Sequence, residues 1–157
     1  MTGGINGVQL KWEECETEYN ASKGVECYER LKKKNGGAST VEPLSTGIAY
    51  GLFDRVATDK IPMTTFGYGL ASSADGRVYD WVFPIGTTYW DQMAAMIAYL
   101  GQKEGGVDKL KGKKIAFLYH DSAYGKEPIP VFEAYAKKLG YELTTIAVPH
   151  PLSLIHI

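Results

Sequence analysis

Segments with the period of a strand and segments with the period of a helix alternate along this chain, joined by short links, and that alternation restricts its fold more than any single motif. Lys111-Gly112-Lys113-Lys114 leads into Ile115-Ala116-Phe117-Leu118-Tyr119, a continuous apolar run expected of a strand covered on both faces. Ile129, Phe132, Ala136 and Leu139 mark one face of a helix that Gly140 ends, and a last strand is expected over 141–148. Upstream, Val8, Leu10 and Trp12 alternate with Gln9, Lys11 and Glu13, as in a strand over 8–14 with one buried face. Asn20 can cap a helix through Leu31 with Ala21, Val25, Tyr28 and Leu31 on one side, stopped by Asn35-Gly36-Gly37. A short strand at 38–41 and a helix turning Ile48, Leu52 and Val56 inward follow. Next come a brief strand at 63–65, a glycine- and aromatic-rich loop over 66–76, and an extended piece at 78–83. A helix over 88–100, with Trp90, Ala94 and Ile97 on its buried side, completes the series.

The expected fold class is therefore α/β, a parallel sheet with helices on both faces. A length of 157 residues suits one domain with one core. In such sheets ligands sit beyond the carboxyl ends of the strands, near helix amino termini. That directs attention to 45–47, 66–72, 87–90 and 120–125.

Composition excludes several classes. A net charge of -1, with both signs scattered, offers neither a basic stripe for nucleic acid nor a polybasic membrane patch. Lys32-Lys33-Lys34 fits a helix end, where cations complement the dipole. No apolar stretch approaches the ~20 residues that cross a bilayer, so direct membrane insertion is not expected. Cys15 and Cys27 are too few for a thiolate zinc site, and His120, His150 and His156 show no ligand spacing, so no metal site is expected. No nucleophile elbow accompanies His120-Asp121, and Asp121 is expected to cap the helix after it. Gly67-x-Gly69-x-x-Ser72 lacks the third glycine of a dinucleotide fingerprint. The reading is of a protein that is not an enzyme and carries no cofactor. Leu152-Ser153-Leu154-Ile155-His156-Ile157 is what CTG-TCT-CTT-ATA-CAC-ATC encodes, similar to a transposon end used in preparing DNA libraries. Residues 152–157 are accordingly expected to be a non-native tail.

Gly3-Gly4-Ile5-Asn6-Gly7-Val8, Pro43-Leu44-Ser45-Thr46-Gly47, Lys60-Ile61-Pro62-Met63 and His120-Asp121-Ser122-Ala123-Tyr124-Gly125 occur in that order. They resemble motifs of the branched-chain amino-acid-binding family, the type I periplasmic binding proteins that serve ABC importers as substrate-binding subunits. The resemblance implies that 1–151 is a partial amino-terminal lobe, with a first strand, an export signal and a second lobe missing. It implies an extracytoplasmic, periplasmic solute-binding subunit for an amino acid or similar small carboxylate or amide, with a membrane permease as partner. A ligand-sensing receptor domain on the same fold is the alternative, and a flavodoxin-like or nucleotide-dependent enzyme a more distant one. In an oxidising compartment a disulfide between Cys15 and Cys27 is expected.

A ligand carboxylate suits the amino end of a helix, where backbone N–H groups are unpaired. Ser45 and Thr46 would add hydroxyls there, and Gly47 would let the backbone approach. Thr46 falls on the family's ligand-contacting hydroxyl position, although Ser45 or Thr46 could equally serve as a helix cap. Gly67 and Tyr68 match the second ligand loop loosely, with Phe66 beside them either core or contact. Tyr124 matches the family's Tyr-Gly, and Tyr89 opens a helix at the same edge. An aromatic rim of this kind would suit an apolar or aromatic carboxylate.

Overall fold

The computed structural model describes residues 4–65 and 69–149. Helices α1 (Ala21–Leu31) and α2 (Thr46–Asp59) precede strands β1 (Met63–Thr65) and β2 (Val82–Pro84). Helix α3 (Tyr89–Lys103), strand β3 (Lys114–His120), the short α4 (Ala123–Lys126), α5 (Ile129–Leu139) and strand β4 (Glu142–Val148) follow. The fold is α/β with parallel strands, but the strands form two separate pairs. Met63 to Thr65 pair with Val82 to Pro84, and Lys114 to His120 pair with Glu142 to Val148, both in parallel register.

Each pair carries its own apolar core, in place of the single core expected. The first gathers Tyr28, Ile48, Ala49, Leu52, Phe53, Val56, Ile61, Met63, Leu70 and Val82. The second gathers Ile97, Leu110, Phe132 and Tyr141, with Ile115, Phe117 and Leu143 packed against them. Helix α3 leaves the first strand pair and lays Ile97 on the second core. Of the face expected to be buried, Ile97 is, and periodicity did not say which sheet buries it.

Local chemistry sets the helix ends. Asn20 accepts from the Lys23 amide at 3.0 Å and starts α1. Ser45 Oγ accepts from the Ile48 amide at 3.3 Å and starts α2. Thr88 and Asp91 form a reciprocal capping box at α3. Lys60, at φ 56°, closes α2 in the left-handed region without a glycine, while Gly140 at φ 77° closes α5. Tyr141 then anchors the start of β4 by donating its hydroxyl to the Phe132 carbonyl at 2.7 Å.

Several expectations fail for identifiable reasons. Residues 8–14 form no strand beyond a lone Ile5–Val8 bridge, because no described segment offers them a ladder, and Trp12 stands 77% exposed. The strand expected at 38–41 shrinks to one parallel bridge between Val41 and Met63. The Ala38 amide is turned back to the Lys32 carbonyl, and Pro43 has no N–H to extend the pairing. The piece at 78–83 is strand only from Val82, since the Val78 and Tyr79 amides both close turns on Asp75. Strand β3 is covered on one face: Phe117 meets Phe132 with ring centroids 4.6 Å apart, whereas Leu118 on the other face is 64% exposed. Trp90, expected in the core, lies 49% exposed beside the buried Tyr89. Asp121 does not cap α4. Ser122 occupies that place without a side-chain cap bond, and Asp121 pairs with Lys126 at 2.6 Å.

Helices α1 and α2 approach closely because Gly24 has no side chain. A Cβ there would lie 2.5 Å from Ile48 Cγ2, and Ile48 is itself buried. Cys15 and Cys27 are joined, with Cα atoms 5.9 Å apart, tying the segment before α1 to its middle. At the far ends of α1 and α2, Asp59 accepts from Lys32 at 2.7 Å and Tyr28 at 2.8 Å. The Lys32 ammonium first, and the Tyr28 hydroxyl second, hold the Asp59 carboxyl below its ordinary value.

Gly24→Ala should therefore destabilise the protein by about 1–3 kcal/mol through overpacking, as urea unfolding would measure. Replacing Cys15 and Cys27 by Ser should cost about 3 kcal/mol, a loss that vanishes when both proteins are compared under reducing conditions. The Asp59 contribution has a definite sign. A depressed folded pKa stabilises above the unfolded value and is lost as pH falls through the folded one. The stability difference between wild type and Asp59→Asn should thus persist at neutral pH and close as pH drops below the ordinary aspartate range.

Candidate functional site

The amino ends of α2, α3 and α4 come together where the two cores meet. Ser45 caps α2, so the helix begins at Thr46 and the Thr46 hydroxyl is not used as a cap. Thr46 is only 2% exposed, and its Oγ1 lies 3.4 Å from the Tyr89 hydroxyl, with either able to donate. Tyr89 is 6% exposed and is held by its own amide, which donates to the Gly69 carbonyl at 2.8 Å. Burial raises the pKa of the Tyr89 phenol, opposed by the Thr46 hydroxyl, so the group stays a neutral donor and acceptor at ordinary pH.

Tyr124 brings the second core to the same place. Its ring meets Tyr89 edge-on at 5.4 Å between centroids and His120 at 6.4 Å, and His120 meets Tyr19 edge-on at 6.2 Å. The His120 ring also shares a 2.7 Å hydrogen bond with the Ser122 hydroxyl. Gly47 faces Ala123 of α4, where a methyl group on Gly47 would make an ordinary 3.9 Å contact. The structure thus brings together Ser45, Thr46, Gly47, Tyr89 and Tyr124. Gly67, Tyr68 and the neighbouring Phe66 lie outside the described residues, as does the tail at 152–157.

Sequence reasoning missed part of the surround. Tyr19, with φ 57°, joins the aromatic row from the segment before α1. Gly69 and Gly125 allow backbone to pass backbone, since a Cβ on either would overlap the carbonyl of Thr87 or His120 respectively. A glycine in a loop signals such an approach only when its neighbour is known. Glu127 was also overlooked. Its carboxylate accepts from the Ala71 amide at 2.6 Å and the Tyr50 hydroxyl at 2.9 Å, and its carbonyl from the Trp90 indole at 3.1 Å.

Such an arrangement has the hydroxyls and rings that binding a small solute needs. Among the described residues no cluster of His, Cys, Asp and Glu could hold a metal ion. No described helix is long and apolar enough to cross a membrane. What this junction offers is hydroxyls, the amino end of a helix whose Ile48 amide is capped by Ser45, and aromatic faces.

Comparison with known proteins places the fold. A protein described as an ABC transporter permease from the Pseudomonas fluorescens group shares 47% identity, with a TM-score of 0.77 over 95% of this chain and 36% of its own. A fatty acid ABC transporter substrate-binding protein from Thermomonospora curvata shares the fold at 21% identity and TM-score 0.78, over 94% of this chain and 36% of its own. A branched chain amino acid ABC transporter from Thermus thermophilus with bound valine matches at 21% identity and TM-score 0.69, over 84% and 32%. The chain spans about a third of the length of these structures. No curated protein matches it. The periplasmic binding protein family model matches residues 1–154, and the chain belongs to that family.

Proposed function

We propose that this chain is part of an extracytoplasmic solute-binding subunit of an ABC importer. It binds a small carboxylate or amide without transforming it and presents the bound solute to a membrane permease. The observation that carries this reading is the meeting of Thr46, Tyr89 and Tyr124 at the amino end of α2, where the two cores touch. One protein of the same fold is described with bound valine and another as a fatty acid ABC transporter substrate-binding protein, and both of those solutes carry a carboxylate.

In this reading the carboxylate lies at the amino end of α2, against first-turn amides and the hydroxyls of Ser45, Thr46 and Tyr89. Tyr124 closes over the apolar part of the solute from the other side. Burial makes these bonds count, because water competes poorly for groups already removed from it.

A hydrogen bond to a charged group is worth roughly 1.5–3 kcal/mol. Thr46→Ala in the full-length protein should therefore weaken binding of the acid about ten- to a hundredfold. Binding of the corresponding amide or ester should be weaker from the outset and hardly changed by the substitution. Calorimetric titration of both proteins with a series of amino acids, carboxylic acids and their neutral analogues measures both quantities. Equal affinity of wild type and variant for the acid would leave Thr46 with a packing role alone.

A further inference from the structure

The two cores are joined at the candidate site chiefly through residues that follow β3. Glu127, directly after α4, makes the most specific of these contacts. One carboxylate oxygen accepts from the Ala71 amide, next to the buried Leu70 of the first core. The other accepts from the hydroxyl of Tyr50 on α2, which in turn accepts from the Ser72 hydroxyl at 3.1 Å. The Glu127 carbonyl takes the indole N–H of Trp90, so the exposed tryptophan has a defined partner. Three elements thus end on one residue, and the acceptor side chain comes from the opposite core to Tyr50 and Ala71. Tyr124 lies three residues earlier in the same segment, against Tyr89.

We propose that Glu127 is a positioning residue for the candidate site, tying the core that carries Tyr124 to the core that carries Thr46 and fixing the distance between them. Two donors on one carboxylate restrain both separation and twist, which a single contact would not. Charge-assisted acceptance shortens and strengthens each bond. The other contacts at this junction, the Tyr89–Tyr124 rings and the passage of Gly47 by Ala123, are apolar and tolerate sliding more readily than a hydrogen-bonded carboxylate. The importance of that distance for solute binding rests on the reading of Thr46 and Tyr124 above; the tie itself does not.

The test is a distance measurement in the full-length, oxidised protein without solute. Spin labels at Asp54→Cys on α2 and Lys137→Cys on α5, both exposed positions on opposite cores, report the separation by double electron–electron resonance. Glu127→Ala should shift the distribution and broaden it. Glu127→Gln should restore the wild-type distribution, because its amide oxygen can accept from Ala71 and its NH₂ can donate to Tyr50. Simple loss of packing would not be rescued in that way. Tyr50→Phe, which keeps the ring, should broaden the distribution less than Glu127→Ala and keeps the test open if the alanine variant does not fold. Superimposable distributions for wild type and Glu127→Ala, or for wild type and Tyr50→Phe, would overturn the proposal. A Glu127→Gln distribution as broad as that of alanine would do the same. Because no solute is present, failure of the Thr46 reading would appear only in titrations and would leave this result standing.

Discussion

Ile48, Leu52 and Val56 leave water together when α2 packs beside β1, and the placement of the candidate site follows from that burial. Fully burying an aliphatic side chain is worth about 1.5–3 kcal/mol, so three on one helical face fix the rotation of α2 about its axis. With the rotation fixed, Ser45 and Thr46 are delivered to the carboxyl-end side of the strands. Tyr50, on the outer face, is aimed at Glu127. Gly24 sets how near α1 comes, and the Lys32–Asp59–Tyr28 cluster pins the other ends of both helices. A chemically modest site therefore depends on an apolar contact that never touches it.

The division into two cores decides which side chains meet at the candidate site. A single continuous sheet would offer a flat edge. Two strand pairs with separate cores leave a seam, and helix amino ends and aromatic rings line it. Helix α3 belongs to both parts. Its first residue, Tyr89, faces Thr46 and Tyr124, while Ile97 two turns later is buried in the second core. That span explains why Tyr89 is buried while its neighbour Trp90 is exposed. A helix that passes from one core to the other cannot keep a single face buried along its whole length.

The chain's local chemistry was plain to read. Asn20, Ser45 and Gly140 terminate or begin helices where their side chains, or the lack of one, dictate. The buried face of α2 and the existence of the β3 and β4 strands follow from spacing and apolar runs, because period decides which residues share a face. The sequence by itself thus determined the α/β alternation, most helix limits, and the candidates Ser45, Thr46, Gly47, Tyr89 and Tyr124. Only the tertiary structure decided that 8–14 has no ladder, that β3 is covered on one face, and that two cores exist where one was expected. It also decided the roles of Glu127, Gly69 and Gly125. The physical reason is the same in each case. Caps and periods are set by bonds within a few residues, whereas a ladder partner, a covering helix or a close backbone passage is supplied by residues distant in sequence, whose identity no local pattern encodes.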